Sequence, residues 1–207
     1  MKEIMKKYST TFFKSMETWP TEIKEDIYKL YAYLRLCDEI VEGEDTYDTE
    51  TKTIVTEQFN EIINKYEIEQ AWVDEFHHAM MTDLRKREHS VTSMLEYCKG
   101  SSESVGLMMA RILGCPPEAD EHAKALGRAY QIINFIRDYD EDVAKGYHYI
   151  SERHELYLKM FYEELDKGME GIKYIPEHLQ GAIISSSINF MEVADECEAN
   201  LLYSNVA

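Results

Sequence analysis

Basic residues are scarce in this chain: 22 Lys and Arg stand against 40 Asp and Glu in 207 residues, a formal net charge of −18. So acidic a protein cannot neutralise a row of phosphates, which excludes a nucleic-acid binder and simple electrostatic docking on an anionic membrane. If its ligand is itself an anion, the local sign must be inverted, and bound cations are the obvious means. The sequence holds only 4 Pro and 9 Gly, and nowhere do apolar and polar residues alternate as in a half-buried strand. Cys37, Cys98, Cys115 and Cys197 form no C-x-x-C pair and have no His at ligand spacing, so neither a zinc site nor a disulfide framework is expected. They read as reduced thiols of a cytoplasmic protein. No window approaches the ~20 apolar residues of a membrane span, and "MKEIMKKYSTTFF" lacks a signal-peptide core. A soluble protein is expected. No G-x-G-x-x-G pattern is present, so a reductive step has no support in the sequence.

What is there is helical. Hydrophobic residues at 44% and charged residues at 30% make an ordinary globular balance, and the length suits one core. Pro20 and Thr21 open a helix in which Ile23, Ile27, Leu30, Leu34 and Val41 form an apolar stripe, with Gly43 as its stop. The acidic, Thr-rich segment 42–53 reads as a loop. Further helices are expected at roughly 52–66, 69–87, 91–98, 102–113, 118–145, 152–173 and 178–203. The expected fold class is all-α, a single domain over 1–207 whose helices surround a central space.

Two polar stripes interrupt this pattern. Read backwards from Asp142 at helical spacing come Asp138, Asn134 or Phe135, and Gln131; before Gly43 come Tyr31, Arg35, Asp38 and Glu42. Each stripe ends in a carboxylate pair four residues apart near an expected helix C-terminus, where the helix dipole makes each acid unfavourable by ~0.3–1 kcal/mol. Mg2+ resolves the conflict. It takes oxygen ligands, commonly one or two carboxylates plus water and substrate phosphates. Two such helices facing each other make an acidic cleft that becomes a diphosphate site once metal enters. A carboxylate pair in so acidic a chain is more often a solvated face, and the case rests on two matching stripes with polar companions. His77 and His78 have no partner at ligand spacing and read as structural.

"LYAYLRLCDEIVE", "YCKGSSESVGLMMARILG" and "LGRAYQIINFIRDYDEDVAKGYHYIS", with the earlier "YSTTFF", resemble in order and spacing the signature stretches of the squalene/phytoene synthase family, from about residue 8 to 151. The resemblance implies an isoprenoid synthase fold in which two aspartate-rich motifs bind Mg2+ and prenyl diphosphates across a cavity. It implies head-to-head condensation of two such substrates, farnesyl or geranylgeranyl diphosphate, through a cyclopropyl diphosphate intermediate. By the same resemblance Asp38, Glu42, Asp138 and Asp142 are the metal ligands, with Arg35 and Arg137 beside them. Tyr31 joins the catalytic set, and Tyr97, Gln131, Asn134 and Tyr149 contact substrate. "VGLMMARILG" and "INFI" offer walls for a carbocation, although Met108, Met109 and Leu113 equally suit plain core packing, as do Tyr97 and Tyr149. Peripheral membrane contact for release of an apolar product is also implied; oligomeric state is left open.

The departures have consequences. Glu42 stands where the family usually has Asp, and Glu103 where glycine is common. Tyr147 stands where the family carries a diphosphate-binding arginine, leaving Lys145 or His148 as the cations to offset it. The region after about residue 151 is short. These changes keep open a synthase or cyclase that ionises one prenyl diphosphate, and a silent isoprenoid-binding relative.

Overall fold

A computed structural model describes all residues except 9, 44, 45, 86 and 205–207, and side chains except those of 7, 8, 10, 11 and 200–204 as well. The chain is all-α, as expected. The first residues, assigned no element from sequence, form α1 (Lys2–Tyr8), α2 (Thr10–Ser15) and a 3-10 turn at Met16–Thr18. Met5 and Met16 are buried, and Trp19 Nε1 donates to the Leu179 carbonyl at 2.9 Å. That bond pins the start of the chain to its last helix.

α3 (Thr21–Glu42) ends where Gly43 adopts φ 74°, a left-handed turn that glycine enters without steric cost. Ile27 and Leu30 of its stripe are fully buried, while Ile23, Leu34 and Val41 are only partly so. α4 (Thr49–Lys65) starts inside the segment expected to be loop. The Asp48 carboxylate accepts the Thr51 N–H at 2.7 Å and caps it. α5 (Gln70–Asp83) stops four residues short of the expectation. Beyond it the backbone pairs instead with the segment after residue 146: His148 N–H donates to the Arg87 carbonyl at 2.7 Å, and His89 N–H to the His148 carbonyl at 2.9 Å.

α6 (Val91–Cys98) begins at a Ser90–Ser93 capping box and runs through a π turn at Lys99–Glu103 into α7 (Ser104–Ile112). A break was expected here at 99–101. Gly100 lies so close to α5 that a Cβ would stand 2.1 Å from the Glu75 carbonyl oxygen, and the widened turn follows that approach. Nor is 118–145 one helix. α8 (Asp120–Arg137), preceded by a 3-10 turn at Pro117–Ala119, and α9 (Tyr139–Ala144) join at Asp138, whose φ and ψ are −94° and 7°. Backbone bonds from Asp138 to Asn134 at 2.9 Å and from Asp142 to Asp138 at 2.8 Å keep the stripe in register across the joint. α10 (His154–Met169) continues as a 3-10 turn at Glu170–Tyr174, and α11 (Glu177–Ser204) closes the described chain. α8 lies against α10, α7, the π turn and α11.

Candidate active site

The helices enclose a cavity of about 420 Å³, lined along α8 from its first turn to its last by His122, Ala123, Leu126, Tyr130, Gln131 and Asn134. α3 contributes Leu34, Tyr31, Arg35 and Asp38, and α6 contributes Tyr97. Met109 and Leu113 of the expected wall line it, whereas Met108 and Phe135 are buried in the core instead. The hydroxyls along this wall are mostly occupied. Ser187 Oγ donates to the Ile183 carbonyl at 2.9 Å, so Tyr130 is the donor in its 2.7 Å bond to Ser187. Ser102 Oγ donates to the Cys98 carbonyl at 3.0 Å. Ser101 Oγ, which no motif singled out, lines the cavity without a partner among the described residues.

Of the four motif carboxylates Asp38 lines the cavity, and Glu42, Asp138 and Asp142 lie outside its lining. Arg35 holds the first motif together: it pairs with Asp38, reaches the buried Glu39 at 3.1 Å, and stands 3.8 Å from Glu42. Burial raises the Asp38 pKa, with Arg35 pulling it down and Asp83 adding to the rise. On the second motif Arg137 grips Asp138 with both nitrogens at 2.7 and 2.6 Å. Among the described residues Asp142 has no such cation at that range. Burial comes first, then the charge of Asp138, with Glu141 and Glu42 adding and Lys145 opposing, and together they push its pKa up to about 7. Glu42 belongs to α3 and Asp142 to α9, so the two motifs face each other. The dipole conflict expected for the second motif is largely removed, because the joint at Asp138 places Asp140, Glu141 and Asp142 in the first turn of a new helix. Repulsion and burial remain.

Sequence reasoning missed Asp83, the last residue of α5. It is 4% exposed and accepts the Tyr97 hydroxyl at 2.5 Å. Burial raises its pKa to about 6, against the lowering effects of Tyr97 and of the Arg87 charge, while Glu42 raises it further. A polar residue closing an otherwise apolar helical face was the available signal. Tyr97 and Tyr149 thus both lie beside the buried Asp83 and belong to an aromatic stack, their rings 5.4 Å apart, with Phe135 4.6 Å from Tyr149. Tyr149 lies outside the cavity lining. Burial, then Asp83, raises the pKa of its hydroxyl.

The departures have physical explanations. Glu103 is neutralised by Arg128 at 2.8 Å, which also holds Glu164 of α10 at 2.6 Å. Lys145 is paired with Glu141 at 2.9 Å rather than standing over Tyr147. Tyr147 is buried and stacks on Tyr149 at 5.6 Å, with the Arg87 guanidinium 3.9 Å above its ring. His77 bonds Tyr33 at 2.8 Å and is structural.

A model of the squalene/phytoene synthase family matches residues 5–156. The chain belongs to that family. It is 27% identical over 172 residues to a 4,4'-diapophytoene synthase of Staphylococcus haemolyticus, covering 72% of this chain and 60% of the relative. It is 29% identical over 163 residues to a phytoene synthase of Thermus thermophilus, covering 71% and 56%. The chain thus spans little more than half the length of these relatives. In structure it superimposes on a dehydrosqualene synthase in complex with ligand with a TM-score of 0.79 at 17% identity, covering 98% of this chain and 95% of that one. A squalene synthase of Alicyclobacillus acidocaldarius gives 0.78 at 16%, covering 96% and 91%. These similarities establish the isoprenoid synthase fold.

The donor set suits a divalent cation. Among the described residues no three His, Cys, Asp or Glu side chains already stand together as a metal cage. Mg2+ commonly takes one or two carboxylates with water and phosphate oxygens rather than a closed protein cage, and the mutually repelling carboxylates of the two motifs would suit that kind of ligation.

Proposed function

We propose that the protein is a Mg2+-dependent synthase that condenses two prenyl diphosphates, farnesyl or geranylgeranyl diphosphate, head to head with release of diphosphate. The observation that carries this reading is an apolar cavity lined at one end by Asp38 of the first motif, with Glu42 of that motif close enough to Asp142 of the second to help burial and Asp138 raise its pKa to about 7. Asp38, Glu42, Asp138 and Asp142 would hold Mg2+, which when bound offsets the charge that develops on the leaving diphosphate.

The chain's own groups do the rest. Arg35 and Arg137 are already oriented by their carboxylates and present guanidinium forks at the mouth, where a diphosphate can replace part of those contacts. Tyr31, Gln131 and Asn134 line the passage between mouth and apolar wall and orient the substrate head there. Tyr97 sits between the cavity and Asp83. The wall of Leu34, Met109 and Leu126, with its neighbouring hydroxyls mostly hydrogen-bonded, excludes water from an allylic cation.

A second reading, ionisation and cyclisation of one prenyl diphosphate, is favoured by one observation: a buried Tyr147 where the family carries arginine. A silent binding role is disfavoured by the intact carboxylate pairs. Incubation with Mg2+ and each diphosphate, followed by hydrocarbon extraction, separates the three. Products of doubled carbon number support condensation, products of unchanged carbon number support cyclisation, and none supports binding alone. Among the described residues no helix is long and apolar enough to cross a membrane. The reading includes a cytoplasmic protein that touches membrane peripherally as it releases an apolar product.

A further inference from the structure

At the mouth, the arginines of both motifs are already engaged: Arg35 with Asp38, Glu39 and Glu42, and Arg137 with Asp138. Arg87 is different. Its guanidinium makes no ion pair with a described carboxylate and lies 3.9 Å above the ring of Tyr147. Its backbone is fixed from both sides, because the carbonyl of Arg87 and the amide of His89 bond to His148 at 2.7 and 2.9 Å. The ring beneath it is fixed too: Tyr147 is buried and stacked within 6° of parallel on Tyr149.

We propose that Arg87 binds diphosphate, holding the second prenyl diphosphate at the mouth of the site. The inference rests on the two-substrate reading above and names the cation that reading needs. Stacking on one face leaves the edge N–H groups of a guanidinium free, and those are the groups that fork onto phosphate oxygens. Stacking also removes rotamer freedom before the anion arrives, so less is lost on binding. The group is near enough to the acidic motifs to lower the pKa of Asp83, which itself senses Glu42. Position 147 therefore need not carry the cation. The parallel bridge between 88 and 148 brings one from the neighbouring segment and sets it on the tyrosine.

The test is calorimetric titration of inorganic diphosphate, in Mg2+, into the parent, Arg87→Gln, Arg87→Lys and Tyr147→Ala. Thermal unfolding without diphosphate checks that each variant is folded. The parent is expected to take up two equivalents. Arg87→Gln should weaken one of them by roughly ten- to hundredfold, the worth of a hydrogen bond to a charged group. Arg87→Lys, which keeps the charge and loses the fork, should fall between, and Tyr147→Ala should weaken the same equivalent less than Arg87→Gln does. Two equivalents bound by Arg87→Gln as tightly as by the parent would overturn the inference and leave the proposed function standing. A parent that takes up only one equivalent overturns the second-substrate role. A parent that takes up none sinks both.

Discussion

The hydroxyl of Tyr97 donates to Asp83 Oδ2 at 2.5 Å, joining the end of α5 to α6 directly beneath the acidic mouth. Asp83 is buried, yet its charge is felt by Asp38 of the first motif. Removing the donor and removing the charge should therefore act differently. Tyr97→Phe leaves a buried carboxylate without its hydrogen bond and should lower stability by about 1–3 kcal/mol, read as a shift of the urea midpoint. Asp83→Asn keeps an acceptor for Tyr97 and should cost less stability, while weakening Mg2+ binding several-fold in a metal titration. Equal losses from both variants in both measurements would show that Asp83 serves packing alone.

Asp138→Asn and Asp142→Asn should each abolish diphosphate release with the fold intact, as measured by coupled diphosphate detection and circular dichroism. Asp140, in the same turn but off the stripe, should tolerate Asn. Near-normal turnover in the first two variants would remove the metal assignment, and a severe effect at Asp140 would mean that α9 presents another face.

Burial and the charge of Asp138 push the Asp142 carboxyl up to about 7, from an ordinary value of 3.8. The folded state therefore holds this proton more tightly than the unfolded chain, and stability falls as pH rises between those values. Without Mg2+, thermal melts should show the parent losing stability from about pH 4 to pH 7 at this site, with Asp142→Asn removing that part of the slope. Added Mg2+ should restore the parent's melting temperature at pH 8 more than at pH 5. A variant whose melting temperature follows the parent's at every pH would show that Asp142 is not under this repulsion.

His122 and Asn134 lie about 18 Å apart along the axis of α8, so the cavity between them is long enough for an extended apolar chain. The His122 ring is held by a 2.7 Å bond between Nδ1 and the Lys167 carbonyl and faces Tyr174 at 5.7 Å, with Gly171 against its Cβ. Because a carbonyl only accepts, Nδ1 carries the proton. His122→Ala removes the ring from the inner end of the cavity. It should raise the preference for geranylgeranyl over farnesyl diphosphate on the order of tenfold in kcat/KM. An unchanged ratio in competition assays would place the end of the chain elsewhere.

The helices and the residues of both candidate motifs are legible in the sequence. Helical periodicity is local, so α3, α6 and α11 could be read from spacing alone, and Asp38, Glu42, Asp138 and Asp142 fall out of a spacing of four on an otherwise apolar pattern. What failed was also local in appearance but tertiary in cause. The π turn at Lys99–Glu103 follows the approach of Gly100 to the α5 backbone, and the early end of α5 follows the pairing of Arg87 and His89 with His148.

The sequence by itself determined the helical class, the acidic balance that calls for cations, and the residue types and intervals of both motifs, because each depends only on composition or on neighbours within a few turns. Only the tertiary structure decided which charges meet. Glu42 and Asp142 are 100 residues apart, and Arg87 lies 60 residues before Tyr147. A charge or a ring acts through distance in space, which falls off within a few ångströms and is set by how helices cross, so no spacing along the chain could announce these partners.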